Sequence, residues 1–187
     1  RSPRRRTQRP RPTADARERV LQPLSLFAPA KVNLALHVLG RRLDGYHDLD
    51  SIVAFADVGD RLGFAPADDF TITVSGPFAH ALPQVGDNII ARSWSAARAI
   101  AASRGRALPP VAVHLEKNLP VASGIGGGSA NAAAALKGFL SLAGIDQVDD
   151  EVVAAGLAIG ADVPVCLSGV ACRMQGGGEC IDRKSTR

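Results

Sequence analysis

Residues 120–136, PVASGIGGGSANAAAAL, set four glycines directly ahead of an alanine-rich run. Glycine lets the backbone take positive φ and lets an anion approach the amides. The first-turn N–H groups of a following helix have no intrahelical acceptor and stand at the positive end of its dipole. The pattern describes an anion site, with the Ser129 hydroxyl placed to meet a phosphate or its Mg2+; a flexible linker or close helix packing would use the same composition. Two better-known phosphate loops do not fit. A Walker A loop ends in Gly-Lys-Ser/Thr, whereas Lys137 falls a turn or two inside the helix. The dinucleotide fingerprint expects an acidic residue at the end of a second parallel strand about 20 residues on. Residues 144–151 read instead as a loop and a helix start.

Other residues have chemistry to offer. From Leu24 to Leu39 the chain alternates, with Val32, Leu34, Leu36 and Val38 on one face and Lys31, Asn33, Ala35 and His37 on the other. This period of two is a strand signal, and it sets Lys31 and Asn33 side by side. The turn-rich stretch RRLDGYHDLD holds Tyr46, the single tyrosine, next to His47. Asp162 precedes Val163 and Pro164, the pattern of a helix N-cap. Cys166, Cys172 and Cys180 follow neither a zinc-ligand nor a redox spacing and read as free thiols.

The elements that position these groups follow from periodicity and punctuation. Short strands are expected at 52–58, 61–64 and 70–75. Asp87 or Asn88 caps a helix whose apolar residues Ile89, Ile90, Trp94, Ala97 and Ile100 run to Gly105. A strand over 111–116 leads through Lys117 into the glycine loop, and a helix over about 129–142 follows. Asp149, Asp150 and Glu151 suit the start of a third helix that ends at Gly160. Strands come mostly before helices, which favours an α+β arrangement over a doubly wound sheet.

Composition narrows the classes. The formal charge is +4, yet residues 1–19 hold eight arginines against Asp15 and Glu18, so they contribute +6 and leave the remainder at −2. The folded part has no nucleic-acid footprint, and residues 1–22 read as a disordered basic tail, with an organellar targeting segment or an RNA-binding arm as other readings. No apolar run is long enough to cross a bilayer. Met174 is the single methionine, which is expected of a processed chain or a fragment.

Pro120-x-x-x-Gly124-Ile-Gly126, followed by Gly127, Gly128 and Ser129, resembles the phosphate-binding motif of the GHMP kinases. Within that superfamily, APAKVNL (28–34), DGYH (44–47) and GADVP (160–164) resemble the 4-diphosphocytidyl-2-C-methyl-D-erythritol kinases. The resemblance spans residues 25–172. It implies an α+β, ribosomal protein S5 domain 2-like fold, with a mixed or antiparallel sheet packed with helices, over residues 23–172. The second, C-terminal domain is expected to be largely missing, and residues 173–187 to be truncated or irregular.

The implied activity is ATP-dependent phosphorylation of a hydroxyl on a cytidine-diphosphate-linked methylerythritol, a step of non-mevalonate isoprenoid precursor synthesis. The alternatives are a mevalonate- or homoserine-type kinase, or a truncated nucleotide-binding protein without catalysis. By the resemblance, Lys31 and Asp162 are catalytic, while Asn33, Tyr46 and His47 hold the substrate. ATP and Mg2+ are the implied cofactors. The nucleotide is held by Pro120, Val121, Ala122, Ser123, Gly124, Ile125, Gly126, Gly127, Gly128 and Ser129, with Asn88 and Lys117, and Ser129 is the candidate metal ligand. Ala130 stands where some members carry a second serine. His37 and His114 match no motif and read as structural. No nucleic acid or membrane partner is expected, and the location is cytoplasmic, or plastid if the basic tail is a targeting remnant.

Overall fold

The computed structural model describes residues 24–41, 47–82, 88–176 and 180–182, with only the backbone of His47 and of 180–182. Six strands form one mixed sheet: β1 (Leu24–Arg41), β2 (His47–Pro66), β3 (Thr71–Ser75), β4 (Val111–Glu116), β5 (Cys172–Gly176) and β6 (Cys180–Asp182). Among the described residues four α-helices accompany it: α1 (Ile89–Ser103), α2 (Gly127–Leu142), α3 (Asp150–Ile159) and α4 (Val163–Ser168). The α+β architecture is as expected.

The long strand β2 organises the sheet. One edge pairs antiparallel with β1 along nearly its whole length, and the other pairs with β5 near its start and with β4 near its end. β3 adds to β4 in parallel. The two short strands expected at 52–58 and 61–64 are thus one. Gly59 and Asp60 do not break it, because Pro29 and Ala28 of β1 pair opposite them. Gly59 also allows that approach: a Cβ there would lie 2.3 Å from the Ala28 carbonyl oxygen.

Helix α2 packs on β1 and β2 and is buried along most of its length, from Ala130 to Leu140 with the exception of Lys137. Gly138 permits the contact, since a Cβ would meet the Phe64 ring at 2.4 Å. Phe64 meets Phe139 edge-on at 5.4 Å between centroids, and Trp94 of α1 stacks on Phe70 at 4.8 Å. Aromatic pairs of this kind add to the burial of their area.

The expected helices form, with caps that local chemistry accounts for. Asn88 Oδ1 accepts from the Ile90 amide at 2.9 Å, and Asp149 Oδ1 accepts from the Val152 amide at 3.2 Å. Arg104, just past α1, joins the two helices by donating to Asp149 at 3.0 Å and to Glu151 at 2.7 Å.

Two features go beyond the sequence reading, which marked two faces of β1 without saying which is buried. The strip Leu34, Leu36, Val38 of β1, together with Ile52 of β2, is exposed, while Lys31 is 2% exposed. The polar-looking face of β1 turns inward at its middle, and shifts of register between Pro29 and Lys31 and between Asn33 and Ala35 re-aim its side chains. Of the stretch from 173, expected to be truncated or irregular, the described residues continue β5 to Gly176 and form β6. Cys172 and Met174 alternate into the core while the backbone pairs with β2. The expected tail over 1–22 lies outside the described residues. Among the described residues, no helix is long and apolar enough to cross a membrane.

Candidate functional site

The glycine loop connects β4 to α2 through three residues with positive φ: Ala122 at 56°, Gly124 at 75° and Gly126 at 67°. Gly126 occupies the N-cap position and has no side chain to offer. The first helical bond runs from the Ala130 amide to the Gly126 carbonyl at 2.8 Å, so the amides from Gly126 to Ser129 have no acceptor within α2. Within the loop, Ser123 Oγ donates to the Pro120 carbonyl at 3.0 Å. The loop walls a cavity of about 710 Å³, whose lining also includes Asn88, Lys117, Asn131 and Asp162. This size suits a nucleotide-scale ligand, and the donor-rich wall suits its anionic end.

Lys31 meets the loop by two routes. Its amide donates to the Ile125 carbonyl at 2.9 Å, and a Cβ on Gly126 would lie 2.9 Å from Lys31 Cβ. The ammonium is then directed to Asp162, with Nζ 3.0 Å from Oδ2. The lysine side chain is 3% exposed and the aspartate 36%. A buried ammonium requires such a partner. Asp162 stands at the N-cap position of α4 but makes no capping hydrogen bond and has αR backbone angles. Its carboxylate serves the lysine and the cavity instead of the helix.

Asn33 joins this pair as the shared face of β1 implied. Its Oδ1 accepts from Lys31 Nζ at 3.2 Å and lies 3.1 Å from Ser51 Oγ, which also donates to the Ala35 carbonyl at 2.9 Å. The Lys31 ammonium on Oδ1 fixes the amide's orientation and leaves Nδ2 on its other side, while the single Ser51 hydroxyl hydrogen is shared between Oδ1 and the Ala35 carbonyl. The fully buried Ser51 was not foreseen from sequence, because only the β1–β2 register brings it beside Asn33.

Asp60 was missed as well. It is 0% exposed, and its carboxylate accepts from Lys117 Nζ at 2.7 Å, the Asn118 amide at 2.7 Å, the Leu119 amide at 2.8 Å and Asn131 Nδ2 at 2.9 Å. The signal was present: Asp60 is in phase with the buried Leu62 and Phe64, an acid on an apolar face. Lys117, expected to reach a nucleotide, lines the cavity while paired to Asp60.

The remaining expected residues divide. Asn88 both caps α1 and lines the cavity, and Ser129 lines it from the first turn of α2. Tyr46 lies outside the described residues, and His47 is described only by its backbone, opposite Arg41 at the start of β2. His114 bridges Thr73 and Ser75 through its two ring nitrogens at 2.9 and 2.8 Å, a structural arrangement. Cys166 and Cys172 are buried. Burial, and next the nearby charge of Asp162, push the Cys166 thiol up to about 12. Lys137 beside it is held below the usual lysine range by burial. Among the described residues, no group of three or more His, Cys, Asp or Glu is arranged to hold a metal.

Comparisons with known proteins agree with this geometry. The GHMP kinases N terminal domain family matches residues 88–170. The 4-diphosphocytidyl-2-C-methyl-D-erythritol kinase of Jannaschia sp. is 52% identical over 156 residues, 83% of this chain and 52% of the relative. That of Paramagnetospirillum magneticum is 51% identical over 162 residues, covering 87% and 55%. A crystal structure of 4-(cytidine 5'-diphospho)-2C-methyl-D-erythritol kinase superposes with a TM-score of 0.66 at 34% identity, covering 85% of this chain and 54% of that one. The Streptococcus pneumoniae phosphomevalonate kinase, at 14% identity and a TM-score of 0.61, shares the fold. The chain spans about half the length of the curated relatives it matches. The glycine loop, the helix that follows and the Asp162 turn all lie inside the matched segment, so the chain carries a GHMP kinase N-terminal domain.

Proposed function

We propose that the protein transfers the γ-phosphoryl group of ATP to a hydroxyl of 4-diphosphocytidyl-2-C-methyl-D-erythritol. The observation that carries this reading is the Lys31–Asp162 pair at 3.0 Å, with Asp162 on the wall of the cavity that the glycine loop encloses. Relatives at about half identity named as kinases of this substrate support the choice of acceptor.

The unpaired amides at the start of α2 take the phosphate oxygens, and the loop's glycines leave them room: a Cβ at Gly124 or Gly128 would meet nothing within 4 Å. Charge spreads over those oxygens during transfer, so fixed donors aimed at them lower the barrier. Asp162, partly exposed to the cavity, accepts the proton of the attacking hydroxyl or orients it. The new oxygen–phosphorus bond forms as the bond to ADP breaks, and the proton passes to the carboxylate. Lys31 holds that carboxylate in place and offers its positive charge to the oxygen as it becomes anionic. Asn33, oriented by Lys31 and Ser51, offers its Nδ2 donors to the substrate.

Mg2+ fits the donor set, because this ion retains water and phosphate oxygens and asks little of the protein. Ser129 and Asp162 are the oxygen side chains on the cavity wall that would meet it. When bound, it neutralises charge on the transferring phosphate. Tyr46 and His47 are assigned to the cytosine by the DGYH resemblance, as a pair that holds the base by ring stacking and by hydrogen bonds to its edge.

The test is incubation of the intact protein with ATP, Mg2+ and the cytidine-linked substrate, with mevalonate and homoserine in parallel, and mass detection of products. Phosphorylation of the cytidine-linked alcohol alone is expected. Phosphorylation of mevalonate or homoserine instead would overturn the acceptor assignment.

A further inference from the structure

The fully buried carboxylate of Asp60 connects three pieces of backbone that sequence keeps far apart. Its Oδ1 accepts from the amides of Asn118 and Leu119, the two residues ahead of the loop's Pro120, and its Oδ2 accepts from Lys117 Nζ and from Asn131 Nδ2 in α2. Both ends of the glycine loop, its entry at Leu119 and its exit in α2, thus rest on one carboxylate fixed in β2.

Stability alone does not account for this cluster. Removing two charges from water is costly, and a buried ion pair commonly does no better than apolar side chains of similar volume. The amide of Asn131 adds to that cost. Asp60 takes its Nδ2, leaving Asn131 Oδ1 buried with no partner among the described residues. An orphaned acceptor costs about 1–3 kcal/mol. A flip of the amide would place its oxygen against the carboxylate, so the orientation is imposed by Asp60. The fold carries this arrangement directly beneath the cavity wall, where Lys117 and Asn131 are both lining residues.

We propose that Asp60 is a positioning residue for phosphate binding: by holding the 118–119 amides and Asn131 on one anchor, it fixes the span of the loop and the aim of its free amides. It touches neither nucleotide nor acceptor and acts through the loop. The same carboxylate keeps the Lys117 ammonium at the base of the loop, where Nζ would be 3.5 Å from a Cβ on Gly127. This inference rests on the proposed reading of the cavity as a nucleotide site.

A positioning role weakens ligands with phosphates and spares those without. Binding of ATP and of adenosine to the intact protein is measured by calorimetry for the wild type, Asp60→Asn and Asn131→Leu, together with melting temperature and steady-state kinetics. Asp60→Asn keeps the shape but loses acceptor sites and charge. It is expected to weaken ATP by about tenfold or more, the equivalent of about 1.4 kcal/mol, with adenosine affinity unchanged. The loss should appear in KM for ATP far more than in kcat at saturation. Asn131→Leu keeps the ion pair and both amide bonds, so it remains informative if Asp60→Asn does not fold, and it should weaken ATP selectively by a smaller factor. Equal loss of ATP and adenosine binding in step with stability would overturn the proposal, as would unchanged ATP affinity in a folded variant. A wild-type protein that fails to bind ATP would instead overturn the nucleotide reading itself.

Discussion

Lys31 Nζ lies 3.0 Å from Asp162 Oδ2, joining the middle of the first strand to the turn that opens the last helix. The lysine is almost wholly buried and the aspartate faces the cavity, so the pair has a fixed member and an accessible one. Lys31→Met removes the charge that holds Asp162 and that, in the proposed transfer, meets the developing oxyanion. Turnover is expected to fall by about 10²–10⁴-fold, the scale typical of a lost acid–base partner, with little change in KM for ATP. Steady-state kinetics with ATP varied at saturating acceptor checks this.

Ser51 donates into the same constellation from β2. Ser51→Ala removes a buried hydrogen bond worth about 0.5–1.5 kcal/mol and releases the orientation of Asn33. The expected result is a rise in KM for the acceptor of up to about tenfold, with ATP binding unaffected. Equal changes in the KM of both substrates would show that Ser51 acts on the fold at large.

Gly126 has φ of 67°, and its Cα faces Lys31 so closely that a Cβ would stand 2.9 Å from Lys31 Cβ. Gly126→Ala therefore pays for the left-handed backbone, about 1–2 kcal/mol, and displaces either the loop or the lysine. Both ATP affinity and turnover should fall, whereas Gly128→Ala, where a Cβ meets nothing within 4 Å, should perturb the loop less. Chemical denaturation and calorimetry of the two variants make the comparison.

Burial raises the Cys166 thiol to about 12 from 9.0. The unfolded chain loses this proton at lower pH than the folded one, so the group favours unfolding as pH rises from 9 towards 12, and has no effect well below 9. Alkylation mapped by mass spectrometry should leave Cys166 unmodified in the native protein at pH 8.5 and label it after denaturation. Rapid native labelling would contradict its burial.

What could be read from sequence was local. The caps at Asn88 and Asp149, the glycine loop and α2 depend on neighbouring residues, and each formed where its punctuation placed it. The interactions that escaped depend on partners distant in sequence. Asp60 looked like a break between strands because nothing near it in sequence reveals the amides of Asn118 and Leu119. Val32, Leu34, Leu36 and Val38 have the alternation of a core face, yet they are exposed, because periodicity marks two faces without saying which one α2 covers. Asp162 satisfied the pattern of a cap, and its real partner lies on β1.

The proposed phosphoryl transfer is tested most directly by single-turnover reaction of γ-labelled ATP with 4-diphosphocytidyl-2-C-methyl-D-erythritol, comparing wild type with Asp162→Asn under ATP-saturating conditions. The substitution keeps the side chain's shape and removes its ability to take the proton. The label should pass to the cytidine-linked alcohol in the wild type, and about 10²–10⁴-fold more slowly in the variant, while the affinity for ATP stays the same. Transfer by Asp162→Asn at the wild-type rate would contradict the account.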